Sequence, residues 1–248
     1  MNIVVPLNLV PDLVEDLEVD GSGTRLHEDS IKLKLNEFDD YALEEALLIK
    51  ESTGGEVIAI AIDGEGADKV LFTALAKGAD QAVRLTGAPP DLSSRALGRV
   101  FATAATSLGA ELILTGVQSV ADLEGQIGPA MAAAMDIPCI NVVTEISVLD
   151  GVTQVQKEYA GGITATFEVD LPAVIGVQAA RQPPRYAPVS KVRQIQQSAT
   201  IDALAAAGPG DGNGVEVTAM APPQSGAGAK MLDGAEGIME ILKEKGLI

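Results

Sequence analysis

Apolar and polar positions follow two rhythms along this chain. Ile3 to Leu7 is a short apolar run rich in β-branched residues, ended by Val10-Pro11-Asp12, and reads as a strand. Residues 12–34 are acidic, contain Gly21, Ser22 and Gly23, and read as a hairpin or excursion. From Asn36 to Lys50 the spacing turns helical, with Tyr41, Leu43, Ala46, Leu47 and Lys50 in register. Asp39 or Asp40 is the expected N-cap of that helix, and Gly54-Gly55 stops it. Val57 to Ile62 is an unbroken apolar strand, the pattern of a parallel strand covered on both faces. Asp63-Gly64-Glu65-Gly66 leads into a helix over Ala67–Ala76, closed by Gly78. A strand over Gln81–Leu85 and a helix over Leu92–Leu108 follow, the helix with Leu97, Val100, Phe101, Ala104 and Leu108 on its apolar side. Glu111–Thr115 is a further strand, residues 116–128 form a polar loop, and Pro129–Met135 is a short helix.

This alternation predicts an α/β fold: a doubly wound, mostly parallel, Rossmann-like sheet with right-handed crossovers. After Pro138 the rhythm becomes strand after strand: Cys139–Val148, Val152–Tyr159, Ile163–Val169 and Ala173–Val177, split by Asp150-Gly151, Gly161-Gly162 and Leu171-Pro172. These are the expected additional antiparallel strands. Beyond Gln178 the pattern is irregular. Residues 207–214 and 221–226 have linker composition, and an amphipathic helix over Met231–Lys245 is expected at the end. The predicted organisation is a nucleotide-binding domain over 1–198, with a projecting loop at 181–193, and an extended C-terminal arm over 199–248 that packs on a partner.

Composition narrows the function classes. The chain has 248 residues, 47% hydrophobic and 3% aromatic, with 35 acidic residues against 17 Lys plus Arg and a formal charge of -18. That balance argues against nucleic acid and against anionic membrane surfaces, which both need clustered cations. A single Cys excludes an internal disulfide framework, and one His with one Cys leaves no conventional zinc ligand set. The opening residues lack the positive region of a signal peptide, and no apolar run is long enough to span a bilayer, so a cytoplasmic location is expected, or the mitochondrial matrix for a eukaryotic source.

Candidate chemistry is sparse. His27 lies in a polar excursion without a partnering nucleophile and reads as a surface histidine; Cys139 reads as a buried, inert thiol within a strand. Asp39-Asp40 and Glu44-Glu45 read as solvated acids on a helix. The loop from Gly116 to Gly128 says more. It leaves the carboxyl end of a parallel strand and enters a helix, where open α/β sheets bind ligands. Gly116, Gly125 and Gly128 allow close backbone approach, the amides at the helix start favour phosphate, and Gln118 and Gln126 offer amide hydrogen bonds. Ordinary connecting loops account for the same spacing, since neither this loop nor Asp63–Gly66 is a GxGxxG or Walker sequence. The last feature is electrostatic: residues 171–201 contain no acid but carry Arg181, Arg185, Lys191 and Arg193. This Pro-rich segment suits either docking on an acidic protein or packing on the chain's own acidic surface.

Four segments, in order along the chain, carry a resemblance: Asn36-Glu37-Phe38-Asp39-Asp40-Tyr41-Ala42-Leu43-Glu44-Glu45-Ala46, Ala74-Leu75-Ala76-Lys77-Gly78-Ala79-Asp80, Gly116-Val117-Gln118-Ser119 with Gln126-Ile127-Gly128, and Pro184-Arg185-Tyr186. Together they resemble the β subunit of electron transfer flavoproteins. The resemblance implies an electron carrier with no bond-making chemistry of its own, working as a heterodimer with an α subunit that holds the redox-active FAD. It implies a structural AMP in this subunit, or a second FAD if the protein is of the bifurcating type. Carried over by position, Pro6, Asn36, Phe38, Ile62, Gly116, Gln118, Gly125, Gln126 and Ile127 would contact cofactor, with Phe38 near the partner's flavin. Arg185, Tyr186, Val189 and Lys191 would dock on an acyl-CoA or amine-type flavin dehydrogenase, Val189 as the apolar anchor; electrons would pass towards the respiratory chain, through a quinone oxidoreductase among the candidate partners. The first strand ends Leu7-Asn8-Leu9 where the family usually has Val-Lys-[Gln/Arg]. The alternative from another class is a stand-alone nucleotide-binding module of the universal-stress type.

Overall fold

The computed structural model describes residues 1–89, 92–149, 151–207, 216–222, 226, 228–229, 231–232 and 234–248. Its centre is a nine-stranded sheet: β1 (Asn2–Pro6), β4 (Glu56–Ile62), β5 (Gln81–Thr86), β6 (Leu112–Gly116), β7 (Cys139–Leu149), β8 (Val152–Tyr159), β9 (Ile163–Val169), β10 (Ala173–Val177) and β11 (Asp202–Ala205). Across the sheet the order is β11-β5-β4-β1-β6-β10-β7-β8-β9. Every pairing from β11 to β7 is parallel, and only β7–β8 and β8–β9 are antiparallel. The doubly wound sheet with an antiparallel extension is therefore as expected. The acidic excursion is closed at its base by a second, two-stranded antiparallel sheet of β2 (Leu9–Pro11) and β3 (Leu33–Leu35).

The parallel strands are apolar on both faces because helices cover both. Ile3 and Val5 of β1, with Leu7 just after it, pack with α1 (Glu37–Thr53) and α2 (Ala67–Lys77), while Val4 packs with α3 (Ser94–Ser107) and α4 (Ile127–Met135). The period of two along the strand thus feeds two cores at once. Those cores are built almost wholly from aliphatic side chains, with Phe101 a fully buried ring in the second.

Three boundaries differ from the sequence reading. Asn36, not Asp39 or Asp40, occupies the N-cap position of α1, because the carboxylate of Asp39 is turned to backbone amides across the fold and that of Asp40 pairs with Lys77. Cys139 opens β7 and is exposed instead of buried; partial desolvation pushes its thiol pKa up. The segment after Gln178 is not irregular throughout. It forms α5 (Val189–Ser198), packed on α2, and then β11, which extends the main sheet beside β5. The expected linker at 207–214 lies, apart from Ala207, outside the described residues, as do residues 223–225 of the second stretch. The terminal helix is α6 (Gly234–Glu244), with no buried side chain. Among the described residues no helix is long and apolar enough to cross a membrane.

Candidate functional site

In a doubly wound sheet, ligands bind where successive crossovers leave towards opposite faces. Here that point lies between β1 and β6, the chain winding from β1 outward to β4 and β5 and then crossing to β6 on the other side. Both strand ends carry residues singled out above, and one side chain joins them. Asp39, on the first turn of α1 and 2% exposed, accepts from the Asn8 amide at 2.8 Å and the Asn8 Nδ2 at 2.9 Å through Oδ2. Its Oδ1 accepts from the Gly116 amide at 3.0 Å. Burial pushes the pKa of Asp39 up to about 6, against the pull of donors from Asn8, Asn36 and the Gly116 amide. Asn36 is also buried, and its Nδ2 donates to the Gln118 carbonyl at 2.9 Å. Asn36, Gly116 and Gln118 are thus brought together, while the Gln118 side chain itself points to solvent.

The loop after β6 is likewise closed on itself. The Asp122 carboxylate, buried in the loop, accepts from the Gln126 amide at 3.0 Å and the Ile127 amide at 3.1 Å, so it caps α4. Ser119 Oγ accepts from the amides of Ala121 and Asp122. The three glycines serve this internal packing. A Cβ at Gly116 would collide with Asp39, one at Gly125 with the Val117 carbonyl, and one at Gly128 would lie 2.8 Å from Thr115 Oγ1. Gly125 also has a φ of +62°, which favours glycine. Asp39 and Asp122 are the site residues that sequence reasoning missed. Periodicity marks them only as acids near helix starts, and their partners lie far away in sequence or inside a loop.

Beside this network, at the carboxyl ends of β1, β4 and β5, is a cavity of about 480 Å³. Leu7, Leu9, Ile62, Leu92 and Leu97 make apolar walls, and Asn8, Asp63 and Glu65 are its polar groups. Ile62 is the one expected cofactor residue that lines it; Pro6 is buried at the end of β1, just before the lining begins, and Phe38 is half-buried on α1.

The basic segment resolves into two kinds of residue. Arg181 Nε donates to Glu45 Oε1 at 2.7 Å, and the guanidinium of Arg185 holds Glu44 through Nε and Nη2 at 2.9–3.0 Å and Glu51 through Nη1 at 2.6 Å. Both main-chain amides also donate to these acids, Arg181 to Glu45 and Arg185 to Glu44. Glu44 and Glu45 are buried, not solvated as expected, and these arginines are the reason they can be. For these two cations the packing is on the chain's own acids. Tyr186 and Val189 instead point outward, 81% and 60% exposed, and Lys191 is exposed beside them. His27 is at the surface as expected, and among the described residues no His, Cys, Asp and Glu group could hold a metal.

A family model described as the electron transfer flavoprotein domain matches residues 24–222. The chain is 33% identical over 205 residues to the electron transfer flavoprotein subunit beta of Methylophilus methylotrophus, covering 81% of this chain and 76% of that protein. It is 30% identical over 189 residues to the subunit of the same name from Bacillus subtilis, covering 75% and 72%. It is 29% identical over 259 residues to that of Homo sapiens, covering 100% and 99%. The family-model match takes in α1, the end of β6 with its loop and the clamped basic segment, and the chain belongs to the electron transfer flavoprotein family as a β subunit.

Proposed function

We propose that this chain is the β half of a two-chain electron carrier that receives electrons from an acyl-CoA or amine-type flavin dehydrogenase and hands them on towards the respiratory chain. In this reading the redox-active FAD sits mainly on the α subunit, enclosed on one side by this chain near Phe38. A quinone oxidoreductase is the proposed acceptor. The observation that carries the reading is the clamp of Arg185 on Glu44 and Glu51. It fixes the Pro183-Pro184-Arg185-Tyr186 turn against α1 and leaves Tyr186 and Val189 exposed as a rigid apolar docking pair. Rigid exposed aromatic and aliphatic anchors lose little entropy on binding and suit a transient protein contact.

Co-expression with an α-type subunit is expected to give a yellow heterodimer that such a dehydrogenase reduces. Val189→Ala should slow that reduction roughly fivefold, the order expected for a truncated interface anchor, with FAD content unchanged. Equal rates for variant and parent would remove Val189 from docking, and a colourless protein that never pairs with an α-type chain would overturn the reading. The family resemblance also implies AMP, or a second FAD, at the loops after β1 and β6. The residues present suit the base and sugar of such a ligand better than its phosphate, since the amides of Asn8, Gly116, Gln126 and Ile127 are held by Asp39 and Asp122.

A further inference from the structure

Four amides at the mouth of the switch point, those of Asn8, Gly116, Gln126 and Ile127, are held by the chain's own carboxylates. A carboxylate on Asn8 and Gly116 and another on Gln126 and Ile127 stand where phosphate oxygens would otherwise accept hydrogen bonds. A phosphate entering there would displace a carboxylate or lie beside one, and like charges close together in a partly buried site repel. Among the described residues, no Lys, Arg or His lines the adjoining cavity. Arg84, beside it, is held by Asp68 at 2.9 Å and faces Asp63 at 3.6 Å.

The cavity nevertheless has the form of a ligand site. Its volume of about 480 Å³ lies in the range of small-molecule pockets, and its walls are mostly aliphatic, suited to a flat ring. Asp63 follows β4, the second strand of the parallel winding, and in doubly wound folds an acid at that place accepts sugar hydroxyls. Asn8 lines the cavity and spends its Nδ2 on Asp39, so the acceptor it keeps is its Oδ1.

We infer that the cavity at the ends of β1, β4 and β5 takes an unphosphorylated nucleoside, its ring between the aliphatic walls and its sugar hydroxyls on Asp63, and that Asp39 and Asp122 replace the phosphate of a nucleotide. The inference rests on the β-subunit reading only in using the two-chain complex as the test material. That complex, purified and then denatured, is expected to release far less than one AMP per heterodimer. In calorimetric titrations at pH 8, adenosine should bind at least tenfold more tightly than AMP. Asp122→Asn, which keeps a capping side chain but removes its charge, should raise AMP affinity about tenfold and leave adenosine unchanged. Asp63→Asn should weaken adenosine with no loss of FAD. Stoichiometric AMP in the purified complex, or AMP binding tighter than adenosine, overturns the exclusion of phosphate. Absence of adenosine binding overturns the nucleoside assignment. Failure of the electron-carrier reading itself shows separately, as failure to form a yellow complex.

Discussion

Asp39 concentrates the physics of the site in one carboxyl. Its pKa is raised from the ordinary carboxylate range to about 6 because burial penalises the charge more than its donors reward it. A group that binds its proton more tightly when folded makes the fold lose stability as pH rises from about 4 to about 6, with no further loss above. Two pKa units correspond to about 3 kcal/mol. Asp39→Asn removes this titration, at a cost of about 1–3 kcal/mol for the amide left without an acceptor. Urea midpoints measured between pH 4.5 and 7.5 should therefore fall less steeply for the variant than for the parent. Glu45, also raised by burial, contributes the same sign to both chains and drops out of the difference. Superimposable profiles would show that Asp39 does not titrate as its surroundings require. None of this was legible in the sequence. Asp39 and Gly116 are 77 positions apart, and only the return of β6 beside β1 brings them together.

At the scale of elements, the basic turn and α1 behave as one unit. Removing Arg185 would strand the buried carboxylate of Glu44, and breaking a buried pair from one side costs about 3–5 kcal/mol. Arg185→Ala should therefore free the turn, so that chymotryptic cleavage after Tyr186 speeds up several-fold while α3 and α4, on the far face, stay protected. Arg185→Lys should restore little, since an ammonium cannot grip a carboxylate through two parallel donors. An unchanged cleavage rate would mean that the three prolines, not the clamp, hold the turn. Most elements could be read beforehand. β8 and β9 fall at the expected residues because turns at Gly151, Gly161-Gly162 and Leu171-Pro172 bracket them, with Ile163, Ala165, Phe167 and Val169 alternating along β9. α5 was hidden although Val189, Val192 and Ile195 recur at helical spacing, because prolines precede it and polar residues fill the rest. β11 gave no signal: Asp202-Ala203-Leu204-Ala205 has no β-branched residue, and its extended form comes from pairing with β5.

For the whole molecule, the charge of -18 is not evenly spread solvation. Of the three buried acids of α1, Glu44 and Glu45 take their counter-charges from the acid-free stretch more than a hundred residues later. The same long reach governs the sheet. β10 lies fully buried between β6 and β7, and within the sheet β7 touches the parallel half only through it. During synthesis the strands on both of its sides emerge first, and neither can join the other. A chain ending at residue 170 should keep β1, β4, β5 and β6 resistant to proteolysis while 139–169 is cut; extension to residue 207 should protect both. Early resistance of 139–169 would mean that α4 and α1 hold the hairpins without β10. The ribosome thus delivers the strand that closes the middle of the sheet after the strands it must divide, and the nascent protein has to hold a strand-wide gap open until residue 177 arrives.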